Sequence, residues 1–332
     1  MENSSQELTF TQSFGYVQHL RQQLRSAVMG RDEVIDLILI GLISGGHILL
    51  EDYPGSGKTT LAKTLGHCIT PESAHAGLKS FRRLQFTPDL LPSDITGVMV
   101  FDPAQGQFYL RKGPIFAHVV LVDEINRTSP KVQSALLESM AEHQVTIDNE
   151  THSLDELFLV IATQNPSDSV GTYPLPQAQL DRFLFKISMT HIDRASELEV
   201  IRRYGQSNSS ASQLSPISRD HVLAIRRCMR TSVTLDPSIE SCLVDIAQAS
   251  RSHPDVLLGL STRTLVNAIS ALKTQALLQE RDYVKPEDIA TLATPLFAHR
   301  LSIRGGPERS QSVVADIIEG PLNTLISTRL KG

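Results

Sequence analysis

The chain opens with two stretches of helical periodicity. Apolar residues recur every three or four positions over 13–29, which predicts an amphipathic helix that Gly30 ends. Asp32 is placed to cap a second helix through Leu42, before a strand, HILLE, at 47–51. That strand runs directly into a glycine-bearing loop and a further helix over 59–68. The pattern therefore predicts a strand, a tight loop and a helix in succession.

Four more strands are predicted further along the chain, at 82–86, 118–122, 157–163 and 183–188. All but the first are nearly continuous apolar runs, which is typical of parallel strands that helices cover on both faces. Between them a helix is expected from Ser129-Pro130 to about His143, followed by a hairpin at 144–154 around Asp148-Asn149.

Beyond His191 helical patterns take over. A polar, serine-rich loop at 205–218 precedes four expected amphipathic helices, at 219–231, 237–252, 262–280 and 286–298. We therefore expect an α/β nucleotide-binding domain over 1–190, built on a parallel five-stranded sheet sandwiched by helices, followed by a small all-helical domain over 191–332.

Composition adds only broad limits. The chain has 332 residues, 41% of them hydrophobic and 20% charged, as in ordinary globular proteins of about two domains. A net charge of -5 argues against a surface devoted to nucleic-acid phosphates. The pairs Arg82-Arg83 and Arg226-Arg227 could form a local basic patch, but solvated surface is the favoured interpretation.

The cysteines and the terminus indicate a reducing cytoplasm. Cys68, Cys228 and Cys242 are scattered and lack metal-ligand spacing, so neither a disulfide framework nor a zinc site is expected. The first ten residues lack the pattern of a secretory signal. The apolar segment 34–50 is interrupted by Asp36, Gly45 and Gly46 and is too short to cross a bilayer.

The stretch EDYPGSGKTT, residues 51–60, resembles the phosphate-binding pattern G-x-x-x-x-G-K-[ST] with Asp52 in place of the first glycine. Gly55 and Gly57 would let backbone N–H groups face an anion at a helix N-terminus. Lys58 would reach the β- and γ-phosphates, and Thr59 would ligate Mg²⁺. The predicted nucleotide contacts are Asp52, Tyr53, Pro54, Gly55, Ser56, Gly57, Lys58, Thr59 and Thr60. The alternative is a glycine-containing strand–helix connection.

A pair of carboxylates follows the strand at 118–122. Asp123 is expected to hold Mg²⁺ through water, and Glu124 to polarise an attacking water. On their own, two acidic residues after a strand form an ordinary soluble turn; behind a phosphate loop they favour phosphate chemistry.

Three further residues are candidates for catalysis. Asn165 could orient the attacking water, although Asn-Pro is also a common turn. Arg182 could act as an arginine finger for a neighbouring subunit, or be a surface ion-pair partner. Arg263 follows Ser261, which is expected to cap a helix, and could lean over a bound nucleotide or be a satisfied surface arginine. The guanine-reading motif N-K-x-D does not occur in the sequence, so adenine is the expected base.

Four segments together resemble the MoxR family of AAA+ ATPases across nearly the whole chain, from Phe14 to Arg304. They are GHILLEDYPGSGKT, LVDEINRTSPKVQSALLESMAEHQVTID, IATQNPSDSVGTYPLPQAQLDRFLF and GLSTRTLVNAI. MoxR proteins often carry Glu-Asp ahead of the loop, as here. Thr262 stands where the family commonly has proline, a difference of no more than about 1 kcal/mol in helix preference.

The resemblance implies a role for each candidate residue. Lys58 and Thr59 correspond to Walker A, Asp123 and Glu124 to Walker B, and Asn165 to sensor 1. Arg182 corresponds to the arginine finger and Arg263 to sensor 2. The segment 87–117 resembles the family's insertion in helix 2, and 144–154 its hairpin before sensor 1. Both would face the central pore of a ring.

The expected function is therefore Mg²⁺-dependent ATP hydrolysis in a ring, expected to be a hexamer, that remodels or matures a partner protein. The resemblance points to partners with a von Willebrand A domain. A nucleic-acid motor of the same clade, a magnesium-chelatase-like motor subunit and a non-hydrolysing nucleotide-binding module are the alternatives. Overall acidity argues against the first, and Glu124 against the last.

Overall fold

A computed structural model of the chain describes residues 7–51, 55–70, 78–165, 171–206 and 215–329. The strands within this part are β1 (His47–Glu51), β2 (Ile69–Thr70), β3 (Lys79–Gln85), β4 (Gly97–Asp102), β5 (Gln107–Lys112), β6 (Ala117–Asp123), β7 (Gln144–Ile147), β8 (Glu150–Ser153), β9 (Leu159–Gln164), β10 (Phe183–Ser188), β11 (Ile217–Ser218), β12 (Val256–Leu258) and β13 (Ser302–Ile303). The α-helices are α1 (Phe10–Ala27), α2 (Asp32–Ser44), α3 (Lys58–His67), α4 (Pro92–Thr96), α5 (Pro130–Glu142), α6 (Gln177–Leu180), α7 (Arg194–Gln206), α8 (Arg219–Ser232), α9 (Pro237–Ser252), α10 (Thr262–Leu278), α11 (Pro286–Phe297) and α12 (Ser310–Arg329).

The main sheet has five strands in the order β10-β1-β9-β6-β3, and every neighbouring pair is parallel. All seven residues of β6 are buried, as a strand covered on both faces requires. The predicted parallel five-stranded sheet is confirmed. Because the strands are parallel, the carboxyl ends of β1, β9 and β6 lie at one edge.

Side chains alternate between two apolar clusters, one on each face of the sheet. Ile48, Leu50 and Val119 belong to a cluster that continues into α1, α2 and the C-terminal helices. Leu49 and Val120 belong to a second cluster with α5. Fully burying one such side chain contributes about 1.5–3 kcal/mol. The sheet and the helical part are thus joined by continuous apolar packing on one face.

The helix predictions are confirmed with shifts at their ends. The prediction for α9 matches both bounds, whereas α1 begins at Phe10, where Thr9 forms a capping box with Gln12. Arg31 rather than Asp32 occupies the cap position of α2. Helices α7 and α12 were not located from the sequence.

Two antiparallel hairpins extend from the sheet. The predicted hairpin at 144–154 is confirmed as β7 and β8, and Asp148 and Asn149 both have positive φ, as a two-residue type I′ turn needs. The second, β4 with β5, lies inside the segment 87–117. At its tip the rings of Phe101 and Phe108 are 5.1 Å apart and largely exposed.

The solvated-surface interpretation of Arg226 is wrong. This residue is buried and donates to the carbonyl oxygens of Leu42 and Glu156 across the interface between α8 and the core. The three cysteines are all buried and unbridged. Among the helices of the described ranges, none combines the length and apolarity that a membrane span needs.

Candidate functional site

Register brings most of the predicted site to the carboxyl edge of the sheet. Glu51 at the end of β1 pairs with Gln164 in β9, and Gln85 of β3 pairs with Asp123 of β6. Asn165 directly follows Gln164. The loop that leaves β1, the carboxylates Asp123 and Glu124, and Asn165 therefore share one edge.

The phosphate loop has the backbone that the sequence predicts where it is described. Gly55 and Gly57 both have φ of 90°, in the left-handed region that favours glycine. Gly57 is the cap residue of α3. Because glycine has no side chain, it makes no side-chain hydrogen bond to the backbone N–H groups of the first turn. Such an N-terminus favours an anion.

Lys58 is the first residue of α3, and Thr59 follows it; both side chains are partly exposed at the loop. Ser56 is also partly exposed, and Thr60 is exposed. The predicted contacts Asp52, Tyr53 and Pro54 lie outside the described residues.

Asp123 is buried and held by a cation from the neighbouring strand. Nε of Arg83 donates to Oδ2 of Asp123 at 2.6 Å, and the Asp123 side chain is 4% exposed. Its second oxygen, Oδ1, is buried and has no hydrogen-bond partner among the described residues. A buried carboxylate oxygen without a partner is unfavourable unless a ligand or water completes it. The oxygen thus fits a site for a cation or a cation-bound water.

Glu124 stands in a strained backbone position. Its φ of 59° and ψ of 53° are left-handed, a conformation that stores about 1–3 kcal/mol in a non-glycine residue. Its N–H donates to Oγ1 of Thr163 at 3.0 Å, which fixes the turn against β9. Gln85 donates to Oε2 of Glu124 at 2.9 Å, and Arg127 lies 3.4 Å from the same oxygen.

The donor set at this edge suits Mg²⁺ better than a transition metal. No group of three or more His, Cys, Asp or Glu side chains with metal-site spacing occurs in the described ranges. Mg²⁺ is commonly bound by one or two protein oxygens together with phosphate oxygens and water. Asp123 Oδ1 and the Thr59 hydroxyl are of that type.

Asn165 lines a cavity of about 1290 Å³ between α2, the ends of β1, β9 and β10, and the helices α11 and α12. Its wall at this end is tied together by Glu51, which accepts from Gln164 at 2.7 Å and pairs with Lys186 at 2.7 Å. Neither Lys58 nor Asp123 is among its described lining residues.

Arg182 lies at the opposite edge. Phe183, the next residue, pairs with His47 at the start of β1, whereas Ser188 pairs with Glu51 at its end. At about 3.3 Å per residue, Arg182 is about 20 Å along the strand from the carboxyl edge. Its Nη1 donates to the carbonyl oxygen of Leu137 at 2.5 Å. Arg182 is thus separated from the phosphate loop of its own chain.

Arg263 is exposed in the first turn of α10, where Ser261 is the cap and accepts from the N–H of Thr264. Thr264 Oγ1 lies 3.5 Å from Oδ1 of Asp181. This contact sets the start of α10 beside the segment that carries Arg182.

The sequence interpretation missed three residues that hold Asp123 and Glu124 in place. Arg83 and Gln85 donate to the two carboxylates, and Thr163 accepts from the backbone N–H of Glu124. Arg83 was assigned to solvated surface. These contacts follow from the pairing of β3 with β6, in which Gln85 lies beside Asp123. Neither the order of the strands nor their register can be read from the sequence, so no sequence signal identified these residues.

Comparison with known proteins agrees with this geometry. Residues 47–185 match the family described as ATPase family associated with various cellular activities (AAA), and residues 248–321 match the AAA lid domain. The chain resembles the uncharacterized protein YeaC of Bacillus subtilis, with 43% identity covering 85% of each chain.

Two further matches extend over most of the chain. The Chaperone MoxR1 of Mycobacterium tuberculosis is 35% identical over 84% of this chain and 74% of its own length. The crystal structure of a candidate ATPase from Cytophaga hutchinsonii superposes with a TM-score of 0.84 at 38% identity, covering 93% of this chain and 95% of that one. The chain is therefore a member of the MoxR family of AAA+ ATPases, with an AAA core and a helical lid.

Proposed function

We propose that this protein hydrolyses ATP with Mg²⁺ in a ring of identical subunits and uses the reaction to remodel a partner protein. The observation that carries the proposal is the split of the candidate residues between two edges. Phosphate loop, carboxylates and Asn165 share the carboxyl edge, while Arg182 lies about 20 Å away along β10. One subunit then offers the nucleotide site and another offers the finger.

Binding of the triphosphate rests on the N-terminus of α3. Backbone N–H groups after Gly57, with the ammonium of Lys58, provide the positive end for the β- and γ-phosphates. Thr59 and Asp123 would hold Mg²⁺, which when bound neutralises charge on the phosphate oxygens. The remaining proposed contacts are Asp52, Tyr53, Pro54, Gly55, Ser56 and Thr60.

Glu124 is the proposed general base. Its carboxylate accepts from Gln85 and lies near Arg127, which holds the side chain at the ends of β3 and β6. Asn165, which directly follows β9, is proposed to orient the water that Glu124 polarises. In this assignment the strained turn at Glu124 serves to project the carboxylate from the strand end.

Arg182 and Arg263 are proposed to act in trans. Arg182 is separated from the phosphate loop of its own chain by the length of β10, and the Thr264–Asp181 contact puts the start of α10, which carries Arg263, beside the segment that carries Arg182. A guanidinium supplied by the next subunit stabilises charge developing on the γ-phosphate; in GTPases such a residue contributes roughly 10³ to 10⁵ in rate.

The protein partner and the cellular location are proposed from the relatives and the family. Support for a protein substrate comes from the relative named Chaperone MoxR1. A hexameric ring, a partner with a von Willebrand A domain, a cytoplasmic location and a division near residue 190 are proposed on family grounds. The hairpins β4–β5 and β7–β8 are proposed to face the pore.

Turnover measured against protein concentration tests the ring mechanism. Specific activity is expected to rise steeply with concentration, and Arg182→Ala is expected to abolish the rise while nucleotide binding persists. Arg202→Ala, at an exposed position of α7, is the matched control. Concentration-independent turnover that Arg182→Ala leaves untouched would refute the proposal.

A further inference from the structure

Hydrogen bonds from the segment that follows α11 hold the amino end of β10 in place. Arg300 in this segment is buried, with 2% of its side chain exposed. Its Nε donates to Oδ1 of Asp181 at 2.9 Å, and its Nη2 donates to the carbonyl oxygen of Phe183 at 2.7 Å. Nη1 reaches the carbonyl oxygen of Leu184 at 3.0 Å.

These three acceptors bracket Arg182 on both sides. Asp181 precedes it, and Phe183 and Leu184 follow it. A guanidinium offers five N–H donors in a fixed plane, so a single arginine fixes all three acceptors relative to one another. A lysine ammonium at the same position is a compact charge that does not reproduce this planar set.

Two further hydrogen bonds strengthen the attachment of this segment to β10. Nε2 of His299 donates to the carbonyl oxygen of Phe183 at 3.0 Å, and Gln177 donates to the carbonyl oxygen of His299 at 2.7 Å. Burial, followed by the charge of Arg300, lowers the pKa of His299 well below its usual range. The imidazole is therefore neutral at physiological pH and keeps a single N–H for this bond.

We propose that Arg300 is a positioning residue for the arginine finger, because it fixes the backbone on either side of Arg182. The helical lid thereby determines the position of the Arg182 guanidinium relative to the nucleotide of the next subunit. The inference rests on the proposed function of Arg182 in trans. Misplacing a reacting group by about 1 Å is enough to lower a rate about 100-fold.

Mixed rings test this directly. A finger donor carries Lys58→Ala, which disables its own nucleotide site but retains Arg182. An acceptor carries Arg182→Ala and retains its phosphate loop. Turnover in the mixture comes from interfaces where the donor's Arg182 meets the acceptor's site. Adding Arg300→Lys to the donor is expected to lower this turnover about 10- to 100-fold, whereas adding it to the acceptor is expected to leave turnover unchanged.

The donor–acceptor contrast separates positioning from general stability. Equal losses in both placements, or no loss in the donor, would overturn the proposal. Asp181→Asn, which keeps one carbonyl oxygen for Nε, is expected to give a smaller loss that is again confined to the donor, and covers the case in which Arg300→Lys does not fold. Arg281→Lys is the matched control, because Arg281 also forms an ion pair with a buried carboxylate, Asp288, within the lid.

Failure of the underlying function gives a different result. If donor and acceptor assemble but the unmodified mixture shows no turnover, Arg182 does not act in trans, and the role of Arg300 falls with it. Assembly is checked by sedimentation of each mixture in the presence of ATP.

Discussion

Arg83 and Asp123 form an ion pair between adjacent strands, with Nε of Arg83 2.6 Å from Oδ2 of Asp123. Asp123 is buried whereas the Arg83 side chain is half exposed. The guanidinium of Arg83 therefore offsets the negative charge of the carboxylate that we propose as an Mg²⁺ ligand. In that proposal, Arg83 and Mg²⁺ both act on the charge of Asp123.

Removal of Arg83 should make the stability of the fold more dependent on Mg²⁺. Arg83→Gln leaves Asp123 buried with less compensation, and we expect a loss of about 2 kcal/mol in the free energy of unfolding. Mg²⁺ with nucleotide should restore more stability to this variant than to the wild type, because ligands that bind only the folded state stabilise it. Thermal unfolding with and without Mg²⁺ measures both effects. Arg82→Gln, at the exposed neighbouring position, is the control; equal responses to Mg²⁺ in both variants would contradict the expectation.

Loss of the proposed base should separate binding from hydrolysis. Glu124→Gln retains an acceptor for Gln85 but cannot take a proton, so turnover should fall at least about 100-fold while nucleotide affinity persists. Phosphate release and fluorescent-nucleotide binding provide the two measurements. Glu142→Gln, exposed at the end of α5, should change neither. Full turnover in Glu124→Gln would exclude this residue as the base.

The hydroxyl of Thr163 should contribute both to stability and to the aim of Glu124. Thr163→Val removes the acceptor for the Glu124 N–H, and an unpaired buried donor costs about 1–3 kcal/mol. Because the left-handed turn then loses its tether, turnover should fall together with stability. Urea unfolding and phosphate release check the two effects, with Thr146→Val on the exposed face of β7 as the control. A stable variant with lost turnover would assign Thr163 a direct catalytic role instead.

Because His47 is buried, we expect the protein to lose stability in mild acid. Burial lowers its pKa from 6.5 to about 3, with the nearby charges of His143 and Arg226 acting in the same direction against the Met140 carbonyl. Its Nδ1 accepts from the N–H of Val160 at 3.0 Å, so a second ring proton would face a donor.

The folded pKa lies below the unfolded value, so the unfolded chain binds more protons as pH falls below about 6.5. The free energy of unfolding should therefore drop by about 2 kcal/mol between pH 7 and pH 5 from His47 alone. Denaturant unfolding at both pH values should show a smaller drop for His47→Gln than for the wild type. His67→Gln, at an exposed position, is the comparison; an identical pH response in His47→Gln and the wild type would contradict this source of acid sensitivity.

Elements whose pattern is local were predictable from the sequence, and those set by register were not. The strands β6, β9 and β10 are nearly continuous apolar runs, and α9 begins after Asp236 with Pro237 in its first turn, so both kinds of element carry their own signals. Helix α12 was not located, because Gly320 and Pro321 interrupt its pattern although it remains helical.

The candidate site divides in the same way. Lys58, Asp123 and Glu124 follow strands in recognisable motifs, so their shared edge could be inferred. The partners Arg83 and Arg300 carry no motif. Arg83 depends on which strand lies beside β6, and Arg300 depends on how the lid folds back on β10. The burial of Arg226 is a third example of a contact that only the tertiary structure sets.

The hydrogen bonds from Arg300 to β10 also protect the sheet against pairing with other chains. β10 is an edge strand, and open edges invite the addition of a strand from another chain, which leads to aggregation. Because side chains from the lid already occupy the carbonyl oxygens of Phe183 and Leu184, this edge is closed to intermolecular strand pairing at its start. If the lid detaches during heating, the start of β10 becomes exposed, so irreversible aggregation should begin at this edge.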